Sequence, residues 1–394
     1  MSTTTTVILG GGFGGIAAAN TLRALLCAEH EIVVIDDTAR FHVGAGQTWV
    51  MLGERTFEQI SQSRLALLAP GVRLVQAKVQ GIDLAGRSVS WGSETLAWDH
   101  LVIALGAGLN PASVPGLAQT AHTFYTVEGA QRLKLALEGF GGGEVVMLIP
   151  KAPFKCPPAP YEAAMLLHQA FEQRGIGAKV RMSIHTVEAA PMATAGPEMG
   201  QYIQAELAQR GIAFFPQRAT ARVDDATRQV VFNDGTWAPY DLLIAVPPHE
   251  APAVVREAQL TNPSGWIAVD PQTLQVKQPG GTTGVYAVGD VTVLPLPGRY
   301  RPEMALSLPK AGVFAQAQGR IAAHQIAASI AGRTCTEVFD GVGYCYLETG
   351  AQRAVKADGS FFDLPHPAMR KRPADEAQMR DKLEWVERLL RPAR

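Results

Sequence analysis

Short apolar runs bounded by turn residues recur along the chain and alternate with segments that place apolar residues every three or four positions. Short bounded runs are typical of buried strands, and the longer period is typical of helices. The predicted strands are 7–9, 31–35, 101–105, 144–149, 179–184, 242–246 and 285–288. The predicted helices are 16–26, 126–137, 161–174, 197–210 and 310–330. This alternation favours an α/β fold with parallel sheets, because each parallel connection needs a crossover.

The order of these elements predicts two Rossmann-like domains, the first interrupted by the second. A chain of 394 residues is long enough for two or three domains. The first domain is expected to comprise residues 1–115 and 266–330, and the second domain residues 116–265. Residues 331–394 change character and are expected to form a C-terminal segment with fewer strands and a final amphipathic helix.

A glycine-rich turn joins the first predicted strand to the first predicted helix. It reads Gly10-Gly11-Gly12-Phe13-Gly14-Gly15, and Asp36 ends the second predicted strand. In a G-x-G-x-x-G turn, the first glycine permits a tight turn, the second lets the backbone approach a pyrophosphate, and the third lets helix and strand pack closely. An acidic residue in the position of Asp36 can accept hydrogen bonds from a ribose. The order and spacing predict a dinucleotide site.

The second domain has no corresponding glycine turn. Its first predicted strand leads into residues 150–158, which contain four prolines and no glycine. Proline removes a backbone donor, and bulky side chains keep the main chain away from a pyrophosphate. We therefore expect this domain to have a Rossmann shape without binding NAD(P)H.

Cys156 precedes a predicted helix and follows Lys151 and Lys155 in the sequence. A helix N-terminus and nearby cations stabilise a thiolate, so the pKa of Cys156 is expected to be lowered. Glu162 is close to Cys156 in sequence and could transfer protons in the chemistry of this thiol. A free, half-buried thiol without a chemical role is the alternative interpretation of Cys156.

The other three cysteines are expected to lie in different environments. Cys27 is assigned to the first helix, where a buried and inert thiol is expected. Cys335 is expected on a surface loop. Cys345 is either a redox residue or an ordinary strand cysteine, and a pair with Cys335 is considered as part of the second alternative.

Two further segments resemble motifs of flavoproteins with two dinucleotide-binding domains. Residues 98–106 are similar to the strand that ends in Ala-Thr-Gly in that superfamily, with Ala104, Leu105 and Gly106 at its end. Residues 284–290, ending in Gly289-Asp290, resemble the late flavin motif, in which the aspartate holds the ribityl chain. The resemblance implies FAD as the cofactor.

The segment Cys156-Pro157-Pro158-Ala159-Pro160-Tyr161-Glu162 resembles the sulfide:quinone oxidoreductase and flavocytochrome c sulfide dehydrogenase group. Residues 240–249 are similar to its strand ending in Pro-Pro, and residues 308–312 to its Pro-Lys turn beside the flavin. Cys345 occupies the place of its second redox cysteine. The resemblance implies a Cys156–Cys345 redox disulfide, Glu162 as acid and base, and Lys310 at the flavin N1–C2=O edge. Sulfide would be the donor and a quinone the acceptor.

The chain departs from some members of this group. No cysteine lies in residues 104–132, where three-cysteine members carry another redox thiol. None lies in residues 40–43, where flavocytochrome members attach FAD, so the FAD is expected to be non-covalent. The alternatives considered are a flavoprotein subunit that reduces a cytochrome, a non-catalytic redox or interaction protein, and a type II NADH dehydrogenase.

Charge and hydropathy exclude some classes of partner and bear on the cellular location of the protein. The net charge of -1 gives no electrostatic reason to bind nucleic acid. No metal is expected, whereas a homo-oligomer is considered. No apolar run reaches the length of about 18 residues that a membrane span needs, and no export signal is recognised at the start. A cytoplasmic protein is expected, and peripheral contact with the cytoplasmic face of the membrane is considered.

The final helix has two interpretations. An apolar stripe flanked by basic residues is typical of a helix lying in a membrane interface, and such a helix could be deleted without affecting the thiol chemistry. Alternatively, the stripe docks on the body of the protein or on a second subunit. The stripe consists of Met379, Leu383, Val386 and Leu390 with Trp385 and Leu389, and the flanking cations are Arg380, Lys382, Arg388 and Arg391.

Overall fold

The computed structural model describes residues 3–277 and 283–393. Five parallel strands form the N-terminal sheet, in which the first strand of the chain lies at the centre. In spatial order they are Val285–Ala287, His100–Ile103, Thr5–Leu9, Glu31–Asp36 and Arg73–Gln76. Residues before and after the central part of the chain thus build one sheet.

A second parallel sheet, the central sheet, is formed by the residues between these segments. In spatial order its strands are Ala213–Phe215, Val180–Thr186, Gly143–Ile149 and Leu242–Ala245. Met147 pairs with Ile184 on one side and Ile244 on the other, and all three side chains are buried. The predicted α/β fold with two Rossmann-like sheets is confirmed, and the domain boundaries given above remain predictions.

The C-terminal segment forms a three-stranded antiparallel sheet, although fewer strands were expected there. Its strands are Val342–Gly350, Arg353–Ser360 and Ala368–Lys371, and Cys345 pairs with Ala357. We call this the C-terminal sheet. It packs beside the central sheet, because Leu347, Ala354 and Val355 join the same apolar core as Met147 and Ile149.

Ten α-helices lie within the described residues, numbered α1 to α10: Phe13–Leu25, Gln47–Met51, Arg64–Leu67, Leu117–Thr120, Val127–Gly139, Ala159–Gln173, Pro197–Gln209, Ala253–Glu257, Gly312–Ile330 and Glu376–Leu389. Every predicted strand and helix is found, with its ends within three residues of the prediction.

Two further three-stranded sheets and three two-stranded sheets complete the β-structure of the described residues. The three-stranded sheets are Gly81–Asp83, Ser88–Trp91 and Glu94–Ala97, and Thr220–Asp224, Gln229–Phe232 and Trp237–Pro239. The two-stranded sheets pair Arg40–His42 with Ser61–Ser63, Gly108–Leu109 with His249–Glu250, and Ile267–Ala268 with Thr292–Val293. The sequence patterns did not reveal these short strands.

Helix α10 docks on the body of the protein through its apolar stripe. Met379 and Val386 are buried, and the exposed fraction of Lys382 is only 1%. Lys382 therefore lies within the stripe, and its expected place at the flank was wrong. Arg380, Arg388 and Arg391 are exposed as expected. Among the described residues, no helix combines the length and apolar character needed to cross a membrane.

Helices α1 and α9 cross at a point where both carry glycine. A Cβ atom at Gly319 in α9 would overlap the carbonyl oxygen of Gly14 in α1. Both helices cover the N-terminal sheet, since Ala18, Leu22, Ala322 and Ile326 belong to its apolar core. The close approach of the two backbones therefore requires a residue without a side chain.

We predict that Gly319→Ala lowers the free energy of unfolding by about 1–3 kcal/mol, because the added methyl group forces the two helices apart. The measurement is denaturant unfolding followed by circular dichroism at fixed FAD concentration. Gly139→Ala at the end of α5 is the matched control, since a Cβ there meets no atom within 4 Å. Equal stability of the two variants would contradict the prediction.

Candidate functional site

One cavity brings together most of the residues that the sequence singled out. It lies between the carboxyl ends of the N-terminal sheet, the loop before α6 and the C-terminal sheet. The sequence-predicted residues that line it are Gly12, Phe13, Gly14, Ala104, Gly106, Cys156, Glu162, Gly289, Asp290, Lys310 and Cys345. Gly10, Gly15 and Asp36 stand behind this lining. Segments that are remote in sequence thus form a common site.

The glycine turn has the geometry that close approach of a phosphate requires. Gly10 has a φ of +92°, and a Cβ there would lie 2.5 Å from the carbonyl oxygen of Ala104. A Cβ at Gly15 would overlap the carbonyl oxygen of Gly10, whereas one at Gly12 would meet no atom within 4 Å. Gly10 and Gly15 are therefore needed for the turn itself. Gly12 leaves its backbone open to the cavity.

Asp290 and Lys310 form a second polar group on this cavity. Oδ1 of Asp290 is buried and has no hydrogen-bond partner among the described residues. Burial raises the pKa of Asp290, and Lys310 and Lys155 oppose the shift. An unpartnered buried acceptor is costly, so it fits a hydroxyl donor of a bound cofactor. This observation, together with the open backbone at Gly12, fits a flavin dinucleotide.

Lys310 is a buried residue, with an exposed fraction of 6%. Its Nζ donates to the carbonyl oxygens of Asp290 and Thr292, at 2.6 and 3.0 Å. It lies 3.4 Å from the centre of the Trp266 ring. Burial lowers the pKa of Lys310 to about 8, against the opposing charge of Asp290. Lys310 is therefore not a surface lysine.

Asp36 is already surrounded by donors from the protein. Oδ2 accepts from the Gly11 amide at 2.7 Å, and Oδ1 accepts from Arg64 at 2.8 Å and from the amide and hydroxyl of Thr38 at 2.9 and 2.8 Å. Arg64 is buried against the glycine turn and also donates to the Gly11 carbonyl oxygen. No pattern in the sequence distinguished Arg64. Oδ2 accepts from only one donor among the described residues, so it retains the capacity to accept from a ribose hydroxyl.

Cys156 lies in the loop that replaces the second glycine turn. Its φ is +54°, and its amide donates to the Lys310 carbonyl oxygen at 2.8 Å. Burial raises the pKa of the Cys156 thiol to about 12, with Glu162 adding to the shift and Lys382 opposing it. The expectation of a lowered pKa was therefore wrong, because burial outweighs the stabilisation expected from a helix N-terminus and nearby lysines.

Cys345 reaches the same cavity from the C-terminal sheet. Burial also raises the pKa of this thiol to about 12, and Glu162 adds to the shift. Cys335 lines a different cavity together with Cys27, so a Cys335–Cys345 pair is excluded. All four cysteines are free thiols in this structure. Cys27 is exposed, contrary to expectation, because α1 ends two residues before it.

Glu162 is the centre of a buried charge cluster that the sequence did not predict. Nζ of Lys382 lies 3.0 Å from Oε1 of Glu162 and 2.7 Å from Oε2 of Glu348. Oε2 of Glu162 accepts from the Glu348 amide at 2.8 Å, and the Trp49 indole donates to Glu348 at 3.0 Å. Burial raises the pKa of Glu162, Lys382 opposes this shift, and Glu348 adds to it.

A signal for Lys382 was present in the sequence. Met379, Lys382 and Val386 are spaced three and four residues apart, so they share one face of the final helix. A lysine on an apolar face that docks on the protein needs a buried partner. Tyr125 is a second missed residue of the cavity, and its buried hydroxyl has no hydrogen-bond partner among the described residues. No pattern distinguished it from a core tyrosine.

Comparison with known families and proteins agrees with this geometry. The family model described as pyridine nucleotide-disulphide oxidoreductase matches residues 4–329, which is most of the chain. The protein belongs to this family. It is a flavin-dependent oxidoreductase, and the predicted resemblance to the sulfide:quinone oxidoreductase type of flavoprotein is confirmed.

Three relatives illustrate the similarity. The mitochondrial sulfide:quinone oxidoreductase of Mus musculus is 24% identical over 379 residues, which are 93% of this chain and 80% of the relative. The demethylphylloquinone reductase NdbB of Synechocystis is 28% identical over 290 residues, 71% of this chain and 69% of the relative. The solved structure of the sulfide:quinone oxidoreductase of Aquifex aeolicus superposes with a TM-score of 0.85 at 24% identity, covering 98% of this chain and 90% of that one. This last similarity shows a shared fold.

We predict that alkylation of the reduced protein separates the thiols by exposure and pKa. At pH 8, iodoacetamide should modify Cys27 at least about tenfold faster than Cys156 or Cys345, because the thiolate is the nucleophile and burial keeps the latter two protonated. Peptide mass spectrometry over time measures the three rates in one sample. Comparable rates at all three positions would contradict the raised pKa values.

Proposed function

We propose that the protein oxidises sulfide through a redox disulfide between Cys156 and Cys345, and that FAD passes the electrons to a quinone. The observation that carries this proposal is the convergence of both thiols and Glu162 on the cavity that the flavin motifs also line. The names of the relatives support the choice of substrates, since two are sulfide:quinone oxidoreductases and another is a quinone reductase.

The first step is a thiol–disulfide exchange. Hydrosulfide attacks Sγ of Cys345 and forms a new S–S bond, the Cys156–Cys345 bond breaks, and Cys156 leaves as a thiolate. Glu162 takes up the proton of the incoming sulfur. A second hydrosulfide or thiol then removes the sulfane sulfur as a persulfide, so that Cys345 also becomes a thiolate. Assigning Cys345 as the sulfur carrier follows the family resemblance.

Bound FAD would accept two electrons as the two thiolates re-form their disulfide. Gly12 and Gly14 would lie against the pyrophosphate, and Asp36 against the ribose of the adenosine. Asp290 would accept a hydrogen bond from the ribityl chain. Lys310 would place positive charge at the flavin N1–C2=O edge, where negative charge develops on reduction. We propose that the FAD is non-covalent.

Aromatic side chains on the cavity near α10 favour a quinone as the acceptor. Trp385 stacks on Phe13 with their ring centres 6.4 Å apart, and Tyr344 lines the same cavity. Peripheral contact of α10 with a cytoplasmic membrane surface would use the exposed Arg380, Arg388 and Arg391, because the apolar stripe of this helix is packed inside. No observation favours a cytochrome-reducing subunit or a non-catalytic sensor instead, and homo-oligomerisation stays a prediction.

The loop after the first strand of the central sheet supports sulfide over NAD(P)H as the donor. Phe154 is buried there, and the first helical turn begins with Pro158, Ala159 and Pro160. Cys156 thus lies where related dinucleotide sites would place a pyrophosphate turn.

We predict that acid precipitation releases the yellow colour into the supernatant, because no cysteine lies in residues 40–43. Absorbance of the supernatant and mass spectrometry of the released compound identify it as FAD. Colour that stays with the precipitated polypeptide would show a covalent bond.

We predict that anaerobic sulfide bleaches the flavin of the purified protein, whereas NADH does not. Cys156→Ser and Cys345→Ser should each slow bleaching by at least about a hundredfold, since neither variant can form the disulfide. Cys27→Ser is the control because Cys27 lies in another cavity. Stopped-flow absorbance measures the rates. Bleaching by NADH alone, or by neither donor, would contradict the proposed function.

A further inference from the structure

The C-terminal helix supplies a charged residue to the redox site. Lys382 is 1% exposed, and it lies between Glu162 of α6 and Glu348 of the C-terminal sheet at 3.0 and 2.7 Å. The Trp49 ring lies on the same ammonium group, 5.1 Å away. Glu162 and Lys382 both line the cavity that contains Cys156 and Cys345.

The balance of charge in this cluster bears on both thiols. Two carboxylates and one ammonium leave one net negative charge when all three groups are ionised. Burial lowers the pKa of Lys382, but Glu162 and Glu348 outweigh burial, so its pKa is raised and it remains charged. Burial raises the pKa of both Cys156 and Cys345, and Glu162 adds to both shifts. Lys382 opposes the shift of Cys156. The proton on Glu162 and the charge on the thiols are therefore linked.

Glu162 has a defined set of neighbours. Thr48 lies 3.4 Å from its Oε1, and Oε2 accepts from the Glu348 amide. Burial raises the pKa of Glu54, which also senses this cluster. Glu348 adds to the shift, and Arg55 and Lys382 oppose it. The titratable groups that face Glu162 are Lys382, Glu348, Cys156, Cys345 and Tyr125.

We propose that Lys382 and Glu348 are positioning residues that set, with opposite signs, the pH at which Glu162 exchanges its proton during the thiol chemistry. This inference rests on the proposed function of Glu162. It also implies that α10 is part of the site of sulfide oxidation. The expectation that the helix could be deleted without affecting the thiol chemistry is therefore replaced.

Three variants form a charge ladder in the FAD-loaded full-length protein. Lys382→Met makes the cluster one charge more negative, Glu348→Gln makes it one charge more positive, and the double variant restores the charge of the wild type. Glu162 acts as a base when ionised. We expect Lys382→Met to move the acid limb of sulfide bleaching to higher pH and Glu348→Gln to move it to lower pH, each by about 1–3 pH units. The double variant should return close to the wild-type profile.

A second readout does not depend on sulfide. Difference infrared spectroscopy over a pH series follows the carboxyl band that disappears in Glu162→Gln. The pH midpoint of this band should be lower in Glu348→Gln than in the wild type and the double variant. In Lys382→Met it should be higher than in both. If the midpoints follow this order but sulfide does not bleach the flavin of the wild-type protein, the proposed function fails while the charge coupling stands.

Other outcomes would overturn the inference. If the cluster only holds α10 in place, the double variant should be the most damaged of the three, and the midpoints should not follow the charge. A carboxyl band that survives Glu162→Gln would assign the proton to Glu348. If Lys382→Met does not fold, Glu348→Gln and the double variant still test the order, and unchanged midpoints in both would contradict it.

Discussion

A buried ammonium group between two buried carboxylates ties the parts of this molecule together. Lys382 comes from the last helix, Glu348 from the C-terminal sheet and Glu162 from the helix that follows the loop of Cys156. Removing one partner from a buried pair leaves an uncompensated charge, which destabilises a protein by about 3–5 kcal/mol. The C-terminal segment is thereby held against the central sheet. The cavity that contains Cys156 and Cys345 exists only when these segments are in contact.

The same burial shapes the chemistry of the thiols. Both cysteines have pKa values raised to about 12, chiefly because a thiolate would be poorly solvated in this cavity. A free thiolate is thus an unfavourable resting form, and a disulfide or a pair of protonated thiols is favoured. Lys382, together with the Ala159 amide, offers stabilisation to a thiolate at Cys156. In the proposed mechanism, the formation of a leaving thiolate at Cys156 is therefore coupled to the protonation of Glu162.

The two Rossmann-like sheets carry different loops after their first strands. After its first strand, the N-terminal sheet has a glycine turn whose backbone is open at Gly12. The central sheet has at that place a proline-rich loop, and this loop carries Cys156. Parallel strands direct such loops to one edge of a sheet, where ligands bind in open α/β folds. The central sheet contributes a thiol at the edge where the N-terminal sheet contributes an open glycine turn.

Local patterns in the sequence were enough to predict the parallel strands, the long helices, the glycine turn and the loop of Cys156. These features depend on apolar periodicity and backbone sterics, which neighbouring residues determine. Burial decided the remainder, and burial depends on distant segments. Cys27 is exposed because its helix ends early, and the pKa of Cys156 is raised because the chain encloses the thiol. Lys382 and Glu162 are 220 residues apart in sequence, so only the tertiary structure could bring the ammonium group to the carboxylate.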